Sequence, residues 1–203
     1  MTAPQPANLS AAAWEQRYQA GRTGWDLGQP APALQQWIVH QAQPGQASAI
    51  VLGAGRGYDA LLFARHGFQV TAVDFAPSAI AALAQQAEAA QLPLSLRQQD
   101  IFTLAPDLAG QFDYVVEHTC FCALDPSLRS AYAQLVADLL TPGGELVGVF
   151  FTHNRQGGPP FGITPGDLQA IFHPYFKLLE LQPVTVSVPA RAGEEHFLRL
   201  QRS

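Results

Sequence analysis

The segment AIVLGAGRGYDALLFARHGFQVTAVD, residues 49–74, decides the fold. It consists of an apolar run, a glycine-rich turn, a short amphipathic stretch that ends at Gly67, a second apolar run and Asp74. Continuous apolar runs are typical of parallel strands that are covered on both faces, and glycines in the turn let a ligand approach the backbone closely. The pattern therefore predicts a strand–turn–helix–strand unit that binds a nucleotide.

Strand-like and helix-like runs alternate from residue 48 to the C terminus. The predicted strands cover residues 48–52, 68–73, 94–100, 112–118, 145–151, 175–182 and 194–202, and the predicted helices cover residues 58–67, 77–91, 125–144 and 164–174. Gly143 and Gly144 are expected to end the third of these helices. Such alternation favours a sheet with helices on both faces. We expect an α/β fold that is Rossmann-like and doubly wound, with a mostly parallel seven-stranded sheet and an antiparallel C-terminal strand.

Length and composition indicate one domain. A chain of 203 residues that is 48% hydrophobic can bury one core, and its net charge of −5 without a basic tract argues against a nucleic-acid partner. The N terminus lacks the pattern of a signal peptide, and no apolar run has the length of a membrane span. We expect a cytoplasmic monomer with no membrane partner, in which residues 1–10 form a loose tail and residues 48–203 form the core. Cys120 and Cys122 are too few ligands for a zinc site, so no metal is expected.

Acidic residues follow two of the predicted strands. The turn at residues 53–57 reads G-x-G-x-G, and Tyr58 stands where a dinucleotide fingerprint requires glycine or alanine. Asp74 and Asp100 are expected at the carboxyl edge of the sheet, where a carboxylate can accept hydrogen bonds from a ribose. An acidic pocket without a phosphate site favours a cationic nucleoside such as S-adenosylmethionine. A glycine turn without a ligand is the alternative.

Several longer motifs resemble those of one enzyme family. They are WEQRYQAGRTGWDLGQPAPAL, LGAGRGYDALLFARHGFQVTAVDFAPSAI, FDYVVEHTCFCALDPSLRSAYA, GGPPF and PARAGEEHFLRLQR. Over residues 14 to about 200 the chain resembles the class I S-adenosylmethionine-dependent methyltransferases, and more closely the thiol and halide methyltransferase branch of the thiopurine methyltransferase superfamily. The resemblance implies S-adenosylmethionine as the methyl donor and an N-terminal helical lid over residues 11–47. We expect residues 10–30 to be its mobile part.

The resemblance also implies roles for individual residues. The cofactor site would comprise Trp14, Trp25, Gly53, Gly55, Gly57, Asp74, Phe75, Asp100, Ile101 and Glu117. The acceptor site would include Phe121, Phe151 and Arg191, and His118 is a weak candidate for a catalytic residue. Either His118 or His153 could favour the thiolate of a thiol acceptor. Alternatives stay open: the two tryptophans could be core aromatics, Glu117 and Arg191 could be solvated, and His118 could be structural.

One departure from the family pattern bears on the acceptor. Phe151 stands near the position where halide-methylating relatives carry a tyrosine, so a hydroxyl donor for a small anion is missing. We expect Phe121, Phe150, Phe151 and Phe161 to form an apolar acceptor pocket that prefers thiols or hydrosulfide to halides. GGPPF is either a wall of that pocket or a rigid turn. We interpret Cys120 and Cys122 as buried structural thiols.

Methyl transfer from a sulfonium to a small soft nucleophile is the function that these patterns favour. The donor is already activated by its charge, so we expect alignment and exclusion of water rather than a catalytic triad. Three alternatives remain: a methyltransferase for a small oxygen or nitrogen acceptor, an S-adenosylmethionine-binding module without catalysis, and an NAD-dependent oxidoreductase.

Overall fold

The computed structural model describes residues 6–40 and 47–203. Residues 1–5 of the predicted tail and residues 41–46 of the predicted lid lie outside the described residues. The strands are β1 (Ser48–Leu52), β2 (Gln69–Asp74), β3 (Leu94–Gln98), β4 (Phe112–His118), β5 (Leu140–Phe151), β6 (Phe176–Pro183) and β7 (Glu195–Arg202). The α-helices are α1 (Ala11–Gln19), α2 (Pro32–Ile38), α3 (Tyr58–Arg65), α4 (Pro77–Ala89), α5 (Ala105–Leu108), α6 (Arg129–Leu139) and α7 (Pro165–Phe172).

The seven strands form one sheet in the order β3-β2-β1-β4-β5-β7-β6. The pairs from β3 to β5 are parallel, and β7 is antiparallel to both of its neighbours. The predicted fold class is therefore confirmed. Within residues 6–40 and 47–203, none of the helices is both long and apolar enough to cross a lipid bilayer.

The two faces of the sheet carry separate apolar clusters. Ile50 and Leu52 of β1 belong to the cluster that α5, α6 and α7 cover, whereas Ala49 and Val51 belong to the cluster that α2, α3 and α4 cover. Successive side chains of a strand point to opposite faces, so the continuous apolar run of β1 supplies both clusters. The sheet is thus held rigidly from both sides, and only its edge is available for a ligand.

The predicted end of the third core helix was wrong. Helix α6 ends at Leu139, and Gly143 and Gly144 lie within β5. The backbone N–H groups of Gly110 and Gln111 donate to the carbonyl oxygens of Asp138 and Leu139 (2.8 and 3.1 Å) and so satisfy the end of the helix. These donors lie some thirty residues earlier in the chain, and the glycine signal therefore pointed to the wrong boundary.

The N-terminal region is divided between surface and core. Leu9, within the predicted loose tail, is only 1% exposed. Helix α1 has no buried residue, but α2 buries Leu34, Trp37 and Ile38 in the apolar cluster beneath α3. The segment that lies on the surface of the core is therefore shorter than the predicted residues 11–47. We call residues 10–30 the N-terminal segment.

Candidate functional site

A cavity of about 960 Å³ opens at the carboxyl edge of the sheet. This volume is near the upper end of the range of about 300–1,000 Å³ found for small-molecule sites. Its wall contains residues that follow each of the strands β1 to β5, residues of the N-terminal segment, and Ala190 and Arg191 before β7. Four strand spacings of about 4.8 Å separate β3 from β5, so the floor extends over roughly 19 Å.

The glycine turn after β1 contributes to the cavity through its first glycine. Gly53 lines the wall, and a Cβ there would lie 2.8 Å from the Cys120 sulfur. Gly55 and Gly57 are not in the wall. A Cβ on Gly57 would lie 2.0 Å from Leu83 Cδ1, so this glycine lets α4 pack against the start of α3. Of the three glycines predicted to contact the cofactor, the structure thus places one at the cavity.

Two aspartates and their neighbours line the end of the cavity at β2 and β3. Asp74 is 7% exposed, and its carboxylate accepts N–H groups from Gly55 (2.9 Å) and Ala76 (2.8 Å). Burial raises the pKa of Asp74, and these backbone donors oppose that rise. Asp100 accepts the N–H of Phe102 (3.0 Å). The cavity wall includes all four residues predicted here, Asp74, Phe75, Asp100 and Ile101.

Three aromatic side chains of the N-terminal segment cover the cavity. The Trp14 and Trp25 ring centroids are 5.0 Å apart, and those of Tyr18 and Trp25 are 5.5 Å apart, both in edge-to-face geometry. All three side chains are half-buried and line the wall. The tryptophans are thus placed over the cavity and not inside the core. Tyr18 was not among the predicted site residues, although its spacing of four residues from Trp14 on α1 puts both on one helix face.

Polar contacts attach the N-terminal segment to the core. The Glu15 carboxylate accepts the N–H (3.0 Å) and hydroxyl (2.5 Å) of Ser78 at the start of α4. Asp26 pairs with Arg56 of the glycine turn at 2.8 Å. These polar contacts join the N-terminal segment to the start of α4 and to the glycine turn.

The structure places Glu117 away from the cavity, contrary to its predicted cofactor contact. Its side chain is 1% exposed and accepts the N–H of Phe121 (2.8 Å) and the hydroxyl of Tyr132. Burial raises the pKa of Glu117 to about 7. The carboxyl group points into the cluster beneath α6, because its position on β4 faces that side of the sheet.

Two of the predicted acceptor aromatics belong to the same buried cluster. Phe121 and Phe150 are each 1% exposed and pack against one another, with their ring centroids 5.5 Å apart. Neither lines the cavity, and Phe161 is also absent from its wall. Of the four phenylalanines expected to form an apolar acceptor pocket, the structure places Phe151 alone in the wall of this cavity.

The other end of the cavity, at β4 and β5, has an apolar wall with two arginine side chains beside it. Phe151, Leu124, Pro159 and Pro160 line it, so the GGPPF motif forms part of its wall. Arg191, which is 9% exposed, lines it as well. The guanidinium carbons of Arg155 and Arg191 lie 5.4 and 5.8 Å from the centre of the Phe151 ring. Both cations also have carboxylate partners outside the cavity wall, Glu194 for Arg155 and Glu195 (3.5 Å) for Arg191.

The loop after β4 supplies wall residues that were not predicted as site residues. Thr119 has a φ of 65°, and Cys120 and Cys122 follow it in the wall. Burial raises the pKa of the Cys120 thiol and raises that of Cys122 to about 12. Both are free, buried thiols that stay protonated at neutral pH, so they fit structural roles better than a role in carrying a methyl group. The rule that ligands bind at strand ends could have identified Thr119.

His118 lies behind the cavity wall. Its Nδ1 is 2.7 Å from Asp59 Oδ2, and its Nε2 is 3.1 Å from a guanidinium nitrogen of Arg191. It is not among the residues that line the cavity. The structure therefore does not bring this candidate catalytic residue to a position from which it could touch an acceptor.

The wall residues fit S-adenosylmethionine. The aspartates after β2 and β3 can accept from ribose hydroxyls and an adenine amino group, and Gly53 lets a ligand approach the backbone. The faces of Tyr18 and Trp25 are suited to a sulfonium, since aromatic rings attract cations. The Trp14 ring already has the guanidinium carbon of Arg17 at 4.2 Å from its centre. The end at β4 and β5 leaves room for a second, smaller molecule beside Phe151 and Arg191.

Comparisons with known proteins agree with this site. A sequence model described as thiopurine S-methyltransferase (TPMT) matches residues 9–202. The chain is 32% identical to a probable thiol methyltransferase 2 of Arabidopsis thaliana over 96% of this chain and 86% of that protein. It is 26% identical to a thiocyanate methyltransferase 1 of Brassica oleracea, over 97% and 88% of the two chains.

A solved structure has the same fold. It is a 1,6-didemethyltoxoflavin-N1-methyltransferase of Burkholderia thailandensis with bound S-adenosylhomocysteine, at a TM-score of 0.77 and 21% identity, over 100% of this chain and 93% of that one. The family match over residues 9–202 removes the dinucleotide-dependent oxidoreductase as an alternative. The chain therefore belongs to the thiopurine S-methyltransferase family and is a methyltransferase that uses S-adenosylmethionine as its methyl donor.

Proposed function

We propose that this enzyme methylates a small, soft, anionic sulfur acceptor, namely a thiolate or hydrosulfide. One observation carries the proposal: the cavity end beside β4 and β5 combines an apolar wall with the buried cation of Arg191. Among the described residues, the cavity wall has no histidine and no glutamate, and its two aspartates lie at the opposite end. An acceptor that needs deprotonation during the reaction would find no base there.

The chemistry needs little more than this arrangement. The acceptor sulfur forms a bond to the methyl carbon as the sulfonium–methyl bond breaks in line with it, and S-adenosylhomocysteine leaves as the neutral product. When bound, the cofactor supplies an activated methyl group. Arg191 favours the thiolate over the thiol through its charge, and Phe151 and Pro160 exclude water from the sulfur. A large sulfur anion loses less on desolvation than an oxygen anion does, so this apolar wall favours sulfur.

The printed names of two relatives support the same acceptor class. One is described as a thiol methyltransferase and one as a thiocyanate methyltransferase, and both names denote soft acceptors. The free thiols of Cys120 and Cys122 are consistent with the cytoplasmic location that we propose for the enzyme.

An acceptor panel tests the proposal. Purified enzyme would be supplied with S-adenosylmethionine and one acceptor at a time: a small thiol, hydrosulfide, iodide, a phenol or an amine. Release of S-adenosylhomocysteine would be measured as kcat/KM. We expect the sulfur acceptors to exceed the phenol and the amine by at least about 100-fold, which corresponds to roughly 2.7 kcal/mol.

Two results would favour the other functions. A phenol or amine as the best acceptor would show that the enzyme has a base elsewhere. Binding of S-adenosylmethionine without product from any acceptor in the panel would favour a binding module.

We also propose that the N-terminal segment closes over the cofactor as a lid. Its support is the aromatic cluster above the cavity, held to the core by polar contacts. Loops of this kind close to keep water from the reaction.

A further inference from the structure

A chain of hydrogen bonds runs behind the acceptor end of the cavity. The Asp59 carboxylate accepts the N–H of Ala31 (2.8 Å) through one oxygen and lies 2.7 Å from His118 Nδ1 through the other. His118 Nε2 lies 3.1 Å from Nη1 of Arg191. Nη2 of Arg191 donates to the carbonyl oxygen of Trp25 (2.6 Å). Two segments of the N-terminal region are thus joined through His118.

The chemistry of this chain fixes the state of the histidine. A guanidinium can only donate hydrogen bonds, so Nε2 of His118 must accept from Arg191. The imidazole then carries its proton on Nδ1 and donates it to Asp59. Both nitrogens of His118 are therefore engaged, Nδ1 as a donor and Nε2 as an acceptor, and neither is directed at the methyl acceptor.

Arg191 is held from several directions. Besides His118 and the Trp25 carbonyl, its guanidinium lies 3.5 Å from a carboxylate oxygen of Glu195 and 5.8 Å from the centre of the Phe151 ring. The His118 and Arg191 side chains are only 8% and 10% exposed, so water competes poorly for these contacts. Removing the acceptor nitrogen of His118 would leave a guanidinium N–H without its partner in this enclosed place.

We propose that His118 is a positioning residue: it holds the Arg191 guanidinium at the angle at which that group both faces the methyl acceptor and fastens the Trp25 backbone over the cavity. The part about the acceptor rests on the proposed function, whereas the part about Trp25 does not. Through this chain of hydrogen bonds, closure of the N-terminal segment and alignment of the acceptor both depend on His118.

Two substitutions test the roles of the two ring nitrogens of His118 separately. By side-chain length, the amide oxygen of His118→Gln can take the place of Nε2 and accept from Arg191, whereas the amide nitrogen of His118→Asn can take the place of Nδ1 and reach only Asp59. We expect His118→Asn to raise the acceptor KM about tenfold or more, the scale of one lost hydrogen bond to a charged group, with kcat changed less. His118→Gln should stay within about threefold of the wild type in both constants.

The backbone contact gives a readout that needs no acceptor. Hydrogen exchange at residues 20–30, with S-adenosylmethionine bound, should be faster in His118→Asn than in the wild type and close to wild type in His118→Gln. Equal behaviour of the two variants in kinetics and exchange would overturn the proposal. If no sulfur acceptor is methylated even by the wild type, the proposed function fails, and the exchange experiment still decides the role of His118.

The wild-type protein allows a third check that does not depend on any variant folding. Nitrogen-15 chemical shifts of the His118 ring distinguish its tautomers. We expect the proton on Nδ1 and none on Nε2. A ring protonated at Nε2 could not accept from Arg191, and that result would overturn the proposal.

Discussion

The glycine turn and the N-terminal segment meet the same cavity but are held in different ways. The turn at residues 53–57 joins β1 to α3, whose side chains are buried in the apolar cluster on one face of the sheet. Helix α1 of the N-terminal segment buries no residue, and the segment is attached to the core through Glu15, Asp26 and Trp25. One side of the site is therefore held by apolar packing and the other by a few hydrogen bonds that water can replace, which is why we propose that the second side opens.

The largest effect should come from packing at the glycine turn. Gly57 and Gly67 have nearly the same φ, 85° and 87°, but a Cβ would clash with buried Leu83 only at Gly57. We expect Gly57→Ala to lower the free energy of unfolding by about 3–4 kcal/mol, and Gly67→Ala by about 1 kcal/mol, which reflects backbone strain alone. Urea unfolding measures both. Equal losses of unfolding free energy in the two variants would mean that the packing of α4 does not depend on Gly57. The glycine turn would then not be fixed by packing, as the N-terminal segment is not.

The next effect concerns the aspartate that the turn holds in place. Asp74→Ala removes a carboxylate that lines the cavity and accepts the N–H of Gly55. We expect affinity for S-adenosylmethionine and S-adenosylhomocysteine to fall by about 1.5–3 kcal/mol, the scale for hydrogen bonds to a charged group. Calorimetric titration checks this, with Asp138→Ala, on α6 away from the cavity, as the control. Unchanged affinity in Asp74→Ala would show that other groups hold the ribose.

The free energy of unfolding should also depend on pH, because a carboxyl group is buried in the core. The pKa of Glu117 rises from its ordinary 4.5 to about 7 in the folded protein because the group is buried. Between these values the folded state binds more protons than the unfolded state, so this group makes the free energy of unfolding fall as pH rises. We expect that Glu117→Gln removes a difference of about 1–3 kcal/mol between pH 5 and pH 8.

Urea unfolding of both proteins at the two pH values measures that difference. Glu88→Gln, at an exposed position of α4, serves as the control and should follow the wild type. If Glu117→Gln follows the wild type as well, the carboxyl group is already ionised at pH 5.

A smaller effect is expected in the N-terminal segment, which we propose to be a lid. Hydrogen exchange should slow within residues 10–30 when S-adenosylmethionine binds, while residues 48–52 stay protected in both states. Trp25→Ala should weaken cofactor binding by about 0.5–1.5 kcal/mol, whereas Trp25→Phe keeps an aromatic face and should lose less. Equal exchange with and without cofactor would mean that the N-terminal segment is a fixed part of the core, held as firmly as the glycine turn.

The sequence predicted the part of the fold that local patterns determine. Apolar runs and glycine turns located all seven strands, and the strand-end rule located Asp74 and Asp100 at the cavity. The boundary after α6 was missed because its hydrogen-bond donors come from Gly110 and Gln111. Partners so far away in the chain leave no local signal.

The direction of side chains on β4 could not be read from the sequence either. Glu117 looked like a site residue, but its position on β4 directs its side chain towards α6, where it accepts the N–H of Phe121. Phe121, in the 3-10 helix after β4, is buried in the cluster under α6. The contact between His118 and Arg191 joins residues 73 positions apart. Contacts between such distant residues depend on how the loop before β7 returns to the end of β4. No local sequence motif predicts that path.

The ratio of thiol to iodide methylation tests the acceptor assignment most directly. Phe151 lines the acceptor end of the cavity, where the guanidinium group of Arg191 faces its ring. We expect the wild type to have a higher kcat/KM for a small thiol than for iodide. Phe151→Tyr should shift the ratio towards iodide by about three- to tenfold, because it adds one hydroxyl donor for a small anion. A wild-type preference for iodide, or a ratio that does not move, would contradict the account.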